Sequence, residues 1–351
     1  MTLRDVRSGV EDLTTWANDT RPRVGFGLGF FDKRTNGGLA KAECAMVLAS
    51  SSVGKTSIAL NVIANNPKVP TVFFSIEMSW RQVVARLTAI TSGTPTRELE
   101  ELLKQGTTPQ TVNTSIQFPV LLGDDSSEMS MKDMKHTIGE ASDKLGLPIG
   151  LVVIDYLELI GGSGMLGKSE AVDRAAQKIR ALAKDCDTRV IVLHQVGKAD
   201  GSGGHEPLDL ESGKYGGHHP MDYVVGCYAP RLDKKRYGEP GIDAELWLQL
   251  LKNRSDMAWP QGVKHYLDPI SGKLSEWGQQ HTGYSTAVYQ PELTVPTVTT
   301  GELGSTVLID PTQPPAWLVS DSSRLDTNEP VWGASENEWQ REAARDIGPD
   351  F

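Results

Sequence analysis

Cysteine is scarce. The 351 residues hold three, Cys44, Cys186 and Cys227, far apart and odd in number. They fit neither a disulfide framework nor a zinc-ligand spacing, and they read as small buried hydrophobes in a reducing cytoplasm. Aromatic residues are few as well, at 7%. No apolar run approaches the ~18 residues that a membrane span needs. The longest are strand-sized, such as Leu151–Ile154. The first residues carry Arg4 and Asp5 and lead into no apolar segment, so no secretory signal is expected. Basic charge is also short: 35 Lys and Arg stand against 45 Asp and Glu, a formal net charge of −10. Spread evenly, that deficit would argue against a nucleic-acid binder.

It is not spread evenly. Residues 280–351 hold three arginines, no lysine, eleven acids and seven of the 20 prolines, a net of −8. The other 279 residues net −2. Residues 280–351 therefore read as an acidic, largely disordered tail, with Glu336–Asp346 as a short helix anchored by Trp339. With 38% hydrophobic residues overall, the remainder has material for a core. Leu3–Trp16 has helical periodicity, so residues 1–24 read as an N-terminal linker helix ahead of a domain at 25–279.

Within that domain, strand and helix signals alternate. Ala45–Ala49, Pro70–Ile76, Val120–Leu122, Leu151–Ile154 and Val190–Leu193 read as strands. Thr56–Asn65, Trp80–Thr91, Arg97–Gln105, Met131–Leu145 and Ser169–Lys184 read as helices. Tyr223–Cys227, Ala244–Leu251 and Val263–Leu267 follow as strands joined by short links. The expected class is α/β, with a mostly parallel central sheet and an antiparallel extension.

The strongest motif is Ala49–Ser57, ASSSVGKTS, between a strand and a helix. That context suits a phosphate loop. The backbone N–H groups of Ser51, Ser52, Val53, Gly54 and Ser57 and the helix N-terminus would cradle phosphates of ATP. Lys55 would reach the same phosphates, and Thr56 would offer its hydroxyl to Mg²⁺. Ala49 stands where the usual pattern has its first glycine. Such a loop needs a metal-binding acid and a group to activate water. Asp155 emerges from the buried run Leu151–Ile154 at a strand C-terminus, where open α/β sheets build their sites. Glu77 ends Phe73–Met78, FFSIEM, and would polarise the attacking water. Gln195 ends Val190–Gln195 and would sense the terminal phosphate, while His194 reads as structural. The adjacent His218 and His219 lie in a Gly-rich loop and read as no metal site.

The ordered set resembles a known family. Gly25–Leu39 (GFGLGFFDKRTNGGL), ASSSVGKTS, FFSIEM, LVVIDYLELI, VIVLHQ, Leu208–Gly213 (LDLESG) and Leu250–Arg254 (LLKNR) together resemble the motor domain of the DnaB-type replicative helicases. These are a branch of the RecA-like P-loop ATPases. The resemblance covers roughly Leu3–Trp277 and lacks the family's N-terminal primase-contacting domain, as in compact helicases of phage type. It implies ATP and Mg²⁺ as cofactors, single-stranded DNA as partner and a homo-oligomer, a hexameric ring with ATP between neighbours. Lys252 and Arg254 match the pair that the family offers to the ATP of the adjacent subunit, and i, i+2 spacing on one edge strand would aim both to the same side. Leu3–Trp16 matches in position the helix that docks on the next subunit.

The same resemblance sends DNA to two Gly-rich loops, Gly161–Lys168 and Gly197–Gly217. Lys168, Lys198 and Lys214 supply charge there, with Arg174 in the following helix. Their glycines would let backbone N–H groups approach DNA phosphates. The chain's last residues, Arg345–Phe351, resemble the acidic tips by which single-strand-binding proteins recruit replication partners. Two other readings share the fold: a RecA-like recombinase or strand-annealing ATPase, and a KaiC-like regulatory ATPase that binds no DNA. All three expect a cytoplasmic protein with no membrane partner.

Overall fold

The structure is a computed structural model. It describes residues 5–18, 23–75, 77–106, 119–123, 130–155, 157, 168–197, 203–230 and 244–278. All of these fall within Met1–Thr297, the first of two units into which the chain divides. The acidic tail, the Glu336–Asp346 helix and Lys198 lie outside the described residues, as does nearly all of the loop expected at Gly161–Lys168.

The strands are β1 (Cys44–Ala49), β2 (Thr71–Ser75), β3 (Val120–Gly123), β4 (Leu151–Asp155), β5 (Arg189–Gln195), β6 (Tyr223–Tyr228), β7 (Glu245–Asn253), β8 (Trp259–Leu267) and β9 (Leu274–Glu276). The helices are α1 (Val6–Ala17), α2 (Gly29–Arg34), α3 (Lys55–Asn65), α4 (Trp80–Ser92), α5 (Thr96–Lys104), α6 (Met131–Leu145) and α7 (Lys168–Asp185). The described strands form one sheet in the order β3-β2-β4-β5-β1-β6-β7-β8-β9. From β3 to β6 the pairing is parallel. From β6 to β9 it is antiparallel. The expected class and the antiparallel extension are both present.

Buried parallel strands need apolar residues on both faces, and β1 supplies them by alternation. Ala45, Val47 and Ala49 join one core with α3 and α4, through Ile58, Val62, Val83 and Leu87. Cys44, Met46 and Leu48 join the other with α6 and α7, through Met134, Ile138, Ala176 and Ile179. Cys44 and Cys227 are buried and Cys186 is half-buried, as small apolar side chains would be.

Helix ends follow local chemistry. At α6, Ser130 and Asp133 form a reciprocal capping box, and Gly146 closes the helix in the left-handed region at φ 64°. At α4, Ser79 and Gln82 do the same at the start and Gly93 at the end. Both helices therefore begin and stop close to where their periodicity predicts. Helix α1 carries Val6, Val10 and Leu13 on one stripe, all three exposed.

Three features differ from the sequence reading. Helix α2 and strand β9 are too short to show a period, so neither was legible. Helix α2 is fixed instead by Asp32, which accepts the backbone N–H groups of Phe26 and Gly27. Beside it, Gly38 has φ +101° and lies against the Val24 carbonyl in the Val24–Leu39 bridge, where no Cβ would fit. Strand β7 is not an edge strand. It is hydrogen-bonded to β6 on one side and β8 on the other, because the chain turns back after Asn253 and β8 extends the sheet.

Candidate functional site

The turn from β1 into α3 is the expected loop. Ser52 takes φ 65° and Gly54 φ 131°, and Gly54 stands at the N-cap of α3. Free N–H groups at a helix start make an anion site. Ala49 ends β1 fully buried and has no positive φ, so the missing first glycine imposes no strain. The Lys55 ammonium donates to the carbonyls of Ala49 (3.2 Å) and Ser50 (3.3 Å). Behind the loop, Gly204 has φ +89°, and a Cβ there would stand 2.6 Å from Val53 Cγ2.

Thr56 and Asp155 meet. The Thr56 hydroxyl donates to Asp155 Oδ2 at 2.9 Å. Asp155 is fully buried, and its other oxygen, Oδ1, has no hydrogen-bond partner. Burial pushes its pKa up to about 6; the Thr56 bond opposes that shift, and the Glu77 charge adds to it. An orphaned buried carboxylate oxygen beside a hydroxyl is a fitting donor set for a hard divalent cation. Among the described residues, no group of three or more His, Cys, Asp or Glu is placed to hold a metal without other ligands. A cation here would need phosphate or water oxygens as well.

Register places the remaining groups. Ser75 pairs with Asp155 across β2 and β4, so exposed Glu77 follows just beyond that strand end. Ala49 pairs with Gln195 across β1 and β5, which brings Gln195 to the loop. Its Nε2 donates to Ser51 Oγ at 2.7 Å. Its backbone oxygen accepts the Lys214 N–H at 2.8 Å. One residue therefore joins the loop to the segment expected to meet DNA. Arg86 of α4 also acts on Asp155, lowering its pKa by its positive charge. Nothing in its helical context marks it in the sequence.

Lys252 and Arg254 lie elsewhere. Val224 pairs with Lys252, and the Asp222 N–H donates to the Cys44 carbonyl, so both cations are level with the start of β1. The loop begins at the other end of that strand, about 16 Å away at ~3.3 Å per residue. Lys252 donates to the carbonyls of His218 (3.1 Å) and His219 (2.8 Å), and burial lowers its pKa. Arg254 donates to Asp222 Oδ1 at 3.0 Å. Asp222 is a further residue that the sequence reading missed.

The glycines of 203–217 serve packing. Gly204 abuts the loop, Gly213 abuts His194, and Gly217 abuts Leu157 and Val172. The Gly217 N–H donates to Asp173 of α7. The described part of this segment is therefore folded onto its own domain. Lys214 stands over the Tyr215 ring, whose carbonyl accepts from Ser169. Arg174 is paired with Glu170 at 2.7 Å. Lys168 opens α7, because the helix starts one residue earlier than its periodicity suggests.

Comparison with known proteins follows the same outline. The sequence model described as the DnaB-like helicase C terminal domain matches residues 24–208, more than half of the chain. The replicative DNA helicase DnaB of Synechocystis sp. is 29% identical over 170 residues, covering 46% of this chain and 19% of that protein. The Geobacillus stearothermophilus DnaB is 28% identical over 174 residues, covering 47% and 38%. The chain thus spans about a fifth to two fifths of these curated relatives. A solved DnaB-like replicative helicase, described with its interactions with primase, superposes with a TM-score of 0.64 at 17% identity, over 78% of this chain and 68% of that one. A solved ATPase domain superposes with a TM-score of 0.65 at 16% identity, over 78% and 99%.

Proposed function

Because the chain belongs to the DnaB-like helicase C-terminal domain family, we propose that it is an ATP-driven motor that translocates on single-stranded DNA and separates duplexes in replication. Its fold is the RecA-like one. The observation that carries the reading is the Thr56–Asp155 pair beneath the loop, with Gln195 bonded to Ser51.

In this reading Ser51 to Ser57 bind the phosphates of ATP, and Lys55 leaves its backbone carbonyls for the phosphate oxygens. Thr56 and Asp155 would hold Mg²⁺, which would supply positive charge to offset the negative charge that develops on the phosphates. Glu77 orients the attacking water and accepts its proton. Gln195 passes the state of the loop to Lys214 through one side-chain and one backbone hydrogen bond.

Lys252 and Arg254 sit a strand length from their own loop, so they serve the nucleotide of a neighbouring subunit. That requires a homo-oligomer, and a ring of six is the form we propose. The exposed Val6, Val10 and Leu13 stripe of α1 supplies a docking face for it. Lys168, Arg174, Lys198 and Lys214 meet DNA phosphates in the channel. The tail at 280–351 is a separate module that recruits replication proteins, and the protein works in the cytoplasm. No described helix is long and apolar enough to cross a membrane.

The test is ATP-dependent strand displacement from a forked duplex, with Lys55→Ala as control. Displacement by wild type and none by Lys55→Ala is expected. Strand pairing without displacement would replace the motor by an annealing ATPase. No binding to single strands would replace it by a regulatory ATPase. Deleting 280–351 should leave ATP hydrolysis intact, and loss of hydrolysis would refute the modular tail.

A further inference from the structure

Among the described residues, Asp222 is the most enclosed carboxylate outside the nucleotide site. Its side chain is 4% exposed. Oδ2 accepts the Cys44 N–H at 2.8 Å and is ion-paired with Arg180. Oδ1 accepts from Arg254 at 3.0 Å. The backbone is tied as well. The Arg254 N–H donates to the Asp222 carbonyl at 3.0 Å, and the Asp222 N–H to the Cys44 carbonyl at 2.9 Å. Arg180 is anchored in turn on the Ala42 carbonyl at 3.1 Å.

One buried carboxylate thus faces two arginines with different surroundings. Arg180 is 20% exposed and supplies the charge that a buried carboxylate needs. Arg254 is 50% exposed, at the rim of the same cluster. A single buried partner on an otherwise open guanidinium does little to bury it. It does restrict where the guanidinium can go, and a free arginine side chain has many rotamers to lose.

We propose that Asp222 is a positioning residue for Arg254, holding the guanidinium outward in the pose that a neighbouring subunit's nucleotide requires. This rests on the reading that Arg254 acts on a neighbour. Asp222 touches no nucleotide; it acts through Arg254 by pre-ordering it. Turnover should therefore depend on Asp222, while binding of ATP to the same subunit should not.

Full-length variants separate the possibilities. Lys55→Ala has a disabled loop and an intact Arg254. Arg254→Ala has the reverse. Mixed in one oligomer, the two should recover hydrolysis, since an intact loop then meets an intact arginine. Asp222→Asn should lower kcat about 10- to 100-fold and leave KM for ATP within about two-fold. It should keep binding of a fluorescent ATP analogue and be rescued by Lys55→Ala as Arg254→Ala is. Added to Arg254→Ala, it should lower kcat no further. Asp222 serves only its own subunit's fold, and the proposal is overturned, on any of three results. Arg254→Ala is rescued while Asp222→Asn is not. Analogue binding is lost in Asp222→Asn. The double variant is slower than Arg254→Ala. No rescue of Arg254→Ala itself would defeat the trans reading and this proposal with it.

Discussion

Gln195 and Ser51 are 144 residues apart in the chain and 2.7 Å apart in space. The contact exists because β1 and β5 are parallel neighbours in register, Ala49 beside Gln195. The same glutamine accepts the Lys214 N–H through its backbone. Replacing it by alanine breaks the side-chain half of the link. Stimulation of hydrolysis by single-stranded DNA should fall about 10-fold, while binding of an ATP analogue persists. Hydrolysis rates with and without DNA check this, and unchanged stimulation would remove Gln195 from the coupling.

Asp155→Asn keeps the shape and removes the charge. With Mg²⁺ present, hydrolysis should fall on the order of 100-fold. Without Mg²⁺ the variant should be more stable at pH 7 by about 3 kcal/mol, since burial holds the folded-state pKa near 6 against 3.8. Paired melting curves in chelator measure the second effect. A variant less stable than wild type in chelator would contradict the charge penalty.

His265 predicts a pH dependence. It is fully buried, its Nδ1 is 2.8 Å from the Val263 carbonyl, and its Nε2 has no hydrogen-bond partner. Burial lowers its pKa from 6.5 to about 4. A lowered histidine pKa means that the unfolded chain binds the proton more tightly. Stability is therefore full above pH 6.5 and is lost as pH falls toward 4. At pH 5 the loss is about 2 kcal/mol. Asp155 works in the opposite sense, contributing a penalty that appears as pH rises from about 4 to 6. The clean measurement is the difference between wild type and His265→Phe at pH 7 and pH 5. Equal pH dependence in both would show that His265 is not the group.

Gly204→Ala puts a Cβ at φ +89° and 2.6 Å from Val53 Cγ2. The left-handed backbone and the close contact together should cost about 1–3 kcal/mol. Val53 belongs to the loop, so KM for ATP should rise along with the loss in melting temperature. A fall in stability with KM unchanged would show that the loop does not feel Gly204.

The parts of this protein that the sequence by itself determined are those set by local chemistry. Periodicity placed α3, α4, α6 and α7 to within a residue or two, and runs of buried apolar residues placed β1, β2, β4 and β5. That Thr56, Asp155 and Gln195 stand close to the β1–α3 loop follows from the same pattern, because each follows or ends such a strand. What the tertiary structure alone decided is set by pairing between distant segments. Whether β7 is an edge or an interior strand depends on where β8 returns, and a strand's own residues do not encode that. Asp222 looks like a turn acid until β6 and β7 bring Arg254 to it and α7 brings Arg180. Gly204 looks like loop flexibility until the loop at Val53 closes over it. Register also separates Lys252 and Arg254 from the β1–α3 loop by the length of β1. Side-chain period and cap chemistry act over a few residues, whereas strand register is a property of the whole sheet.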